Sequence, residues 1–465
     1  MIASIFALVL ALVIGIASLF GAGAGGANAA GAIPLWAFGI VLAVFLALFA
    51  GGIYIGAALA ALALIGGFTL ADRPFWNFMG EILWAPSTNF VLVAVPLFLL
   101  MGDIMLRAGL SGRLFSALNV WFGRLPGGLL HTNILSCGVF SAIAGSSVAT
   151  AATMGSVALP HFEKTRYPPK LVLGSLAAGG ALGNLIPPGI TFIIYGMLTE
   201  TSVGALYLAA VGPSLLVVLL FIVLIVWLTW GQAFGHEDAA KPDWRARLAS
   251  LVDLVPTAIL IFLVLGSIYT GLATPTESAA MGVAGAIVLG LVDRKLTLRM
   301  LHESLRSSAR TTSMIALILF GAYFLNYIMS SLGVPQMLAG FLTGLPIPGW
   351  ALMMLIIGFY LALGTVMEGM SMIITTIPLL FPVVKALGYD PVWFGVIVTM
   401  LVEIAMISPP DGTVLYVLQG MRRAPAPIAD MFRGVLPFLG AYIAAVALLV
   451  AMPSIALWLP SIVRN

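Results

Sequence analysis

Asn184-Leu185-Ile186-Pro187-Pro188-Gly189-Ile190-Thr191 and Met406-Ile407-Ser408-Pro409-Pro410-Asp411-Gly412-Thr413 each interrupt a long apolar run, and they stand 222 residues apart. Paired prolines inside a helix remove two backbone donors and clash with the preceding turn. Hydrocarbon holds no water to satisfy the carbonyls so released, so such a break must line a protein cavity or coordinate something. One isolated pair has a bland explanation, a structural kink satisfied by neighbouring helices. Two pairs at one offset, each followed by a Gly and a Thr, favour a site.

The offset pairs more than these prolines. Pro126-Gly127 falls on Pro348-Gly349, Thr153 on Thr375, Pro160 on Pro382, Tyr167 on Tyr389 and Pro169 on Pro391. Coincidences of Leu or Ala mean little in an apolar chain, whereas coincident prolines mark an internal repeat. Each half is expected to hold a span, a hairpin, a broken span and a closing span. The second begins five spans after the first, and an odd number inverts it.

Composition bounds the class. The chain has 465 residues, 62% hydrophobic and 8% charged, where a soluble domain carries about 25% charged residues. Its apolar runs are long and do not alternate, which excludes a β-barrel and leaves helices. About eleven spans are predicted, at 1–20, 35–52, 53–70, 89–107, 171–197, 205–230, 252–271, 277–292, 311–330, 392–418 and 434–459. The stretches 110–124 and 332–345 read as amphipathic connectors, and 231–250 as a solvated loop. A net charge of +3 gives no reason to expect nucleic acid as a partner; the lipid bilayer is the expected surroundings. The lone Cys137 provides no disulfide framework. Residues 1–20 followed by Ala-Asn-Ala at 27–29 imitate a signal peptide, but no Lys or Arg precedes Arg73, so a retained first helix is expected.

Basic residues orient the chain. With 1–20 running outward, 17 of the 20 Lys and Arg fall inside, leaving Arg73, Lys385 and Arg464 outside. The N-terminus is then cytoplasmic and the C-terminus periplasmic, in a multi-pass protein of a bacterial inner membrane. Arg124 and Lys164 flank the apolar stretch 128–160, and both stay inside only if that stretch enters and returns. It is predicted to be a re-entrant hairpin opening inward, with 349–384 its outward-opening counterpart. The fold expected is an all-α polytopic membrane protein, about eleven spans plus two re-entrant hairpins in an inverted repeat. Its parts are N-terminal scaffold helices over 1–88, a first repeat over 89–230 with hairpin 128–160 and broken helix 171–197, connecting elements over 231–310, and a second repeat over 311–465 with hairpin 349–384 and broken helix 392–418.

Inverted repeats with broken helices point to a transporter with its site near mid-membrane. The first tip carries Gly145, Ser146, Ser147, Thr150 and Thr153, and the second Gly364, Thr365, Glu368, Gly369 and Ser371. Glycines allow turns and close approach, hydroxyls offer oxygen ligands, and a half-helix N-terminus favours an anion. Small residues at this spacing also serve plain helix packing; opposite a broken helix the site reading is favoured. Glu368, Glu403 and Asp411 are acids in an apolar zone, where such groups are expensive and usually functional. They suit Na⁺ or a carried proton, although Glu403 reads more readily as a buried, hydrogen-bonded structural acid than as a ligand. Thr274-Pro275-Thr276-Glu277 is a capping box with proline at the first helical position.

Five stretches together resemble the large, DctM-like membrane subunit of TRAP (tripartite ATP-independent periplasmic) transporters, from about residue 42 to the C-terminus. They are GSSVATAATMGSVALP (145–160), GALGNLIPPGITFIIYG (180–196), GLATPTESAAMG (271–282), EGMSMIITTIPLLFP (368–382) and ISPPDGTVLYVLQG (407–420). The resemblance implies an elevator-type, Na⁺-driven importer of small organic acids such as carboxylates. Its implied partners are a small four-helix membrane subunit and a periplasmic substrate-binding protein. Carried onto this chain, the cation ligands expected are Gly145, Ser146, Asn184 and Pro187 in one half, and Gly364, Thr365, Glu368, Gly369, Ser408 and Asp411 in the other. Ser146, Ser147, Thr150, Gly189, Thr191, Ser371 and Thr413 are expected around the substrate. The chain departs from the family pattern at Thr150, where an acid is frequent, at Asp411, where Val is common, at Glu368, where Asp is frequent, and at Asn184, which brings an amide into the first break.

Three other readings are open. A stand-alone organic-anion symporter or antiporter would share this architecture without partner subunits. An intramembrane enzyme would need a cluster of titratable groups, yet His131, His161, His236 and His302 are scattered and no H-E-x-x-H occurs; no enzymatic activity is expected. A channel-forming or structural protein is disfavoured by the inverted hairpins.

Overall fold

The computed structural model describes residues 53–70, 75–163, 165–231, 244–422 and 427–463. The expected spans 1–20 and 35–52, and with them the orientation of the N-terminus, lie outside those residues. The described residues are helical, with no strand. In chain order the helices begin with α1 (Ile55–Leu70), α2 (Met79–Ser87), α3 (Ala94–Arg107), α4 (Leu110–Phe122), α5 (Gly128–Ala144), α6 (Ser147–Phe162) and α7 (Pro169–Gly180). They continue as α8 (Ile190–Thr199), α9 (Val203–Thr229), α10 (Trp244–Ile261), α11 (Pro275–Val292), α12 (Leu298–Ser331) and α13 (Val334–Gly344). The last are α14 (Gly349–Leu363), α15 (Gly369–Ala386), α16 (Pro391–Ile407), α17 (Thr413–Gly420), α18 (Ile428–Ala451) and α19 (Ser454–Val463).

Seven stretches of the described residues are long and apolar enough to cross a membrane: Phe90–Arg107, Val203–Thr229, Trp244–Tyr269, Pro275–Val292, Leu298–Ser331, Gly369–Ala386 and Ile428–Ala451. The two broken spans are not among them, because each is cut into shorter helices. On α9 the large side chains Leu215, Leu219, Val223 and Trp227 recur every fourth residue and are all exposed. A stripe of this kind fits lipid and would be a liability in water.

Two compact units divide the chain, Met1–Pro86 with Ala316–Met337 and Ser87–Ile315 with Leu338–Asn465. In the first, Ala63, Phe75, Phe324 and Ile328 form the core. A Cβ on Gly56 would meet the Leu317 carbonyl oxygen at 2.7 Å, so α1 crosses residues 316–331 at a glycine contact that a larger side chain would open.

The second unit contains both hairpins and both broken helices. A tight link of Gly145 and Ser146 joins α5 to α6. Gly145 has φ +58°, the left-handed conformation that glycine adopts at little cost. Residues 364–368 join α14 to α15. The breaks run over 181–189 between α7 and α8, and over 408–412 between α16 and α17, and both proline pairs are joined by cis peptides. The short α8 packs on α15 and α16, while the short α17 packs on α6 and α7. Each broken helix thus places its second piece against the hairpin of the other half. Close approach of α7 and α18 depends on Gly174 and Gly434, where a Cβ on Gly174 would strike the Gly434 carbonyl.

Ion pairs link other helices of this unit. Arg107 bonds Asp103 at 2.6 Å and Glu303 at 2.6 Å, and Arg113 bonds Asp253 at 2.9 Å and also Asp293. Half-exposed pairs of this kind are each worth roughly 0–1 kcal/mol.

Three boundaries differ from the sequence reading. The span expected at 434–459 is two helices, because Pro453 lacks an amide proton and Met452 before it leaves the α region (φ −131°, ψ 76°). The stretch expected to be loop up to residue 250 is helical from Trp244, whose ring meets that of Trp121 while Arg247 lies over both. The span expected at 311–330 starts at Leu298, as its first turns bury Ser304 and Ser308 despite their charged neighbours. The expected capping box forms as read, with the Glu277 amide donating to the Thr274 hydroxyl and the Thr274 amide to the Glu277 carboxylate.

Candidate functional site

The two tips and both broken helices contribute to one cavity of about 260 Å³. Ser146 and Ala149 come from the first tip, Glu368 and Met370 from the second, Asn184 from the first break and Met406 from the end of α16. Other stretches of its wall come from α3, including Asp103, and from α12, including Ser307, Ser308 and Thr311.

The first tip is held against the first break by backbone. The Ile190 amide donates to the Gly145 carbonyl at 3.1 Å. A Cβ on Gly183 would run into the Ser147 backbone, and one on Gly189 into the Asn184 carbonyl. Glycine is required at both positions for this close approach. Behind the tip lies a buried polar knot. Ser147 is 0% exposed and donates its hydroxyl proton to Glu403, 2.8 Å from Oε1 and 2.7 Å from Oε2. The Asn184 backbone amide donates to Ser147 Oγ at 3.1 Å and to Glu403 Oε1 at 3.3 Å, and its side-chain NH₂ donates to Ser147 Oγ at 3.0 Å. Glu403 is 0% exposed, and no Lys, Arg or His among the described residues is ion-paired with it. An unpaired buried carboxylate carries a large desolvation penalty, so its donors matter.

The Asn184 amide has its orientation dictated by this knot. Ser147 has one proton and commits it to Glu403, so the group facing Ser147 Oγ must be the donor NH₂. Asn184 Oδ1 therefore points away, is buried and has no partner. Thr150 Oγ1, Thr153 Oγ1 and Thr413 Oγ1 are also buried without partners. Native interiors satisfy nearly all such groups through protein atoms or ordered water, so each has capacity for one further hydrogen bond.

The second tip is built differently. Glu368 caps α15, accepting from the Ser371 amide at 3.0 Å and the Ser371 hydroxyl at 3.1 Å. Gly364 and Gly369 lie against α16, where added Cβ atoms would meet Ala405 Cβ at 2.6 Å and Val402 Cγ1 at 2.5 Å. In the second break, the Gly412 amide returns to the Ser408 carbonyl at 2.9 Å and the Tyr416 hydroxyl donates to the Pro410 carbonyl at 2.8 Å. Asp411 is half-buried and within electrostatic reach of Glu368.

Of the residues singled out from sequence, Ser146, Thr153, Asn184 and Glu368 line the cavity. Ser147 lies behind it, bonded to Glu403, while Gly145 and Gly189 form the tip-to-break contact. Thr191 reaches across to the second tip, 4.0 Å from the Met370 sulfur. Pro187 lies in the first break, Gly364, Thr365, Gly369 and Ser371 form the frame of the second tip, and Ser408, Asp411 and Thr413 belong to the second break. Sequence reasoning missed Asp103 and the α12 hydroxyls. The signal was present as Ser304, Ser307, Ser308, Thr311 and Thr312, at helical spacing in a stretch read mostly as a connection.

Residues 42–455 match the model of the DctM component of the tripartite ATP-independent periplasmic transporters. The chain is 31% identical over 440 residues, 91% of its length and 98% of the relative's, to the C4-dicarboxylate TRAP transporter large permease protein DctM of Rhodobacter capsulatus. It is 32% identical over 419 residues, 90% of its length and 97% of the relative's, to the sialic acid TRAP transporter large permease protein SiaM of Vibrio cholerae. In fold it is similar to the Alcanivorax borkumensis YdaH transporter, with a TM-score of 0.60 at 18% identity, covering 90% of this chain and 99% of that one.

Proposed function

The chain belongs to the family of DctM components of tripartite ATP-independent periplasmic transporters, and we propose that it is the membrane subunit through which a small organic acid is imported together with Na⁺. The observation that carries this reading is the meeting of both tips and both broken helices at one cavity, with buried oxygens left unpartnered around it. The working topology is eleven spans with two re-entrant hairpins in an inverted repeat, the N-terminus cytoplasmic and the C-terminus periplasmic. The tripartite, periplasmic description of the family and the large-permease names of the relatives support two partners, which we take to be a periplasmic binding protein that delivers the acid and a small four-helix membrane subunit.

Na⁺ is here a transported substrate, and the residues fit a hard cation that takes oxygen ligands. In the first half, the backbone oxygens of Gly145, Asn184 and Pro187 and the oxygens of Ser146 are available beside the tip. In the second, Glu368, Asp411 and the backbone oxygens of Gly364, Thr365, Gly369 and Ser408 provide carboxylate and carbonyl oxygens. Glu403 holds the first set in place without touching the cavity, through Ser147 and the Asn184 amide. Neutralised and ordered in this way, the half-helix ends at the tips present amides and hydroxyls to the acid's carboxylate. The hairpins and broken helices then travel as one body against the remaining helices, an elevator. Coupling is reciprocal: if Na⁺ raises affinity for the acid, the acid raises affinity for Na⁺ by the same factor.

Uptake into proteoliposomes tests this. The chain is reconstituted with its small subunit and cognate binding protein, using the acid that the binding protein retains, under an imposed Na⁺ or proton gradient. Na⁺-driven uptake that disappears when any component is omitted is the expected result. Uptake by this chain alone would instead establish a stand-alone carrier, and proton-driven uptake would move the coupling to Glu368 and Asp411.

A further inference from the structure

The α12 wall of the cavity has no role in the reading above. Hydroxyls inside helices commonly fold back onto a carbonyl one turn earlier, as Ser313 does to Ala309, Ser141 to Cys137 and Thr229 to Ile225. Ser304, Ser308 and Thr312 do not; their oxygens are buried and have no partner. Ser308 is 6% exposed and lines the cavity, with Ser307 and Thr311 beside it. An independent group at the same cavity has the same deficit. Asn184 is 1% exposed, and its Oδ1, turned outward by the Ser147 knot, has no partner.

The chemistry of these groups restricts what can satisfy them. An amide oxygen only accepts, and the carboxyl groups of Asp103, whose Oδ2 is taken by Arg107, and of Glu368 add acceptor oxygens on the same wall. Among the described residues, no Lys, Arg or His lines the cavity to neutralise a bare dianion. A ligand that complements this lining brings hydrogen-bond donors of its own in addition to a carboxylate. We propose that Ser308 and Thr311 of α12, with Asn184 Oδ1, form a subsite for the hydroxyl or ammonium groups of a substituted organic acid. The proposal rests on the reading of the chain as an organic-acid importer and names the class of acid. A site built to bond such groups rejects the analogue lacking them strongly, because its own polar atoms are then left unpaired.

The sole cysteine, Cys137, is buried, so Cys137→Ala gives a background free of thiols. Ser307→Cys in that background places a half-buried reporter on the cavity wall. Purified full-length chain in nanodiscs with Na⁺ is treated with N-ethylmaleimide in the presence of paired probes: succinate against tartrate, hexanoate against gluconate, and succinate against aspartate. The expected result is protection by tartrate, gluconate or aspartate at concentrations at least about tenfold below those of the unsubstituted partner. Adding Ser308→Ala and Thr311→Val should erase that preference. Equal protection within every pair overturns the proposal, and so does a preference that survives the two added substitutions. Absence of protection by all probes also overturns it. Uptake of the binding protein's own acid by the reporter chain, measured in parallel, separates the two levels. If Na⁺-driven uptake persists while the subsite fails, the transport reading stands alone; if uptake fails in the unsubstituted chain, that reading falls first.

Discussion

The two repeats share a backbone plan and differ in chemistry. In the first, the tip is two residues long, the break runs over 181–189, and Ser147 and Asn184 direct neutral donors inward. In the second, the tip runs over 364–368, the break is only 408–412, and the acids Glu368, Glu403 and Asp411 all reside there. Glu403 crosses the division: it belongs to α16 in the second half but is held by the tip and break of the first. The two halves therefore share an order of helix, tip and break, while oriented dipoles lie on one side and acidic side chains on the other. Two cation sites built on such halves would not be equivalent, and the first would be intact only while Glu403 ties the halves together.

Breaking that tie should have the largest effect. Glu403→Leu keeps the volume but leaves the Ser147 hydroxyl proton without its acceptor and the Asn184 amide with Ser147 alone, at a cost of about 1–3 kcal/mol. The expected outcome is a clear fall in thermal unfolding temperature in detergent and loss of Na⁺-driven uptake. Glu403→Gln retains one acceptor oxygen and should fold and transport at an intermediate level. A Leu variant as stable as the parent would show that the knot does not hold the halves.

Gly183→Ala comes next. Its Cβ would land on the Ser147 backbone, which cannot rotate away, so the first tip must move off its break. In the second half, Gly364→Ala meets Ala405 Cβ at 2.6 Å and Cα at 3.2 Å, a contact that the longer five-residue tip can relieve by shifting. Uptake should drop at least about tenfold in the first variant and several-fold less in the second; equal losses would remove the distinction between the tips. Smaller again is the charge in the second half. Glu368→Gln should raise the Na⁺ concentration for half-maximal uptake about tenfold, equivalent to about 1.4 kcal/mol, and the half-buried Asp411→Asn by less. An unchanged Na⁺ dependence in both would place the ion elsewhere.

How much of this was legible follows from the kind of signal involved. Proline pairs at one offset revealed the breaks, because a missing amide proton acts locally and does not depend on what surrounds it. Pro453 carried the same information, but it was absorbed into a long apolar run in which one proline seemed tolerable. The tip residues were visible as glycines and hydroxyls, yet nothing in the sequence separates Ser146, which lines the cavity, from Ser147, which turns to Glu403. Adjacent residues on a helix N-terminus point in different directions, and their partners are set by tertiary packing. The partner of Ser147 lies 256 positions away. The α12 hydroxyls were hidden by Arg306 and Arg310, which made the segment look like a solvated connection.

The smallest expected effect on stability gives the sharpest test of the comparison. Thr150 lies on α6 in the first half and Thr413 opens α17 in the second, and the hydroxyl of each is buried without a partner. Val has nearly the same shape as Thr and removes only that hydroxyl. Where a buried hydroxyl satisfies nothing, its removal relieves a desolvation penalty, so Thr150→Val should leave stability unchanged or raise it by up to about 1 kcal/mol. If the same hydroxyl meets the acid or the ion during transport, uptake must fall while the unfolding temperature holds or rises. Thr413→Val should follow the same pattern more weakly, because Thr413 is only partly buried. Opposite movement of the two readouts would mark both residues as functional, while full uptake in both Val variants would assign them to packing and confine binding to the cavity-lining groups.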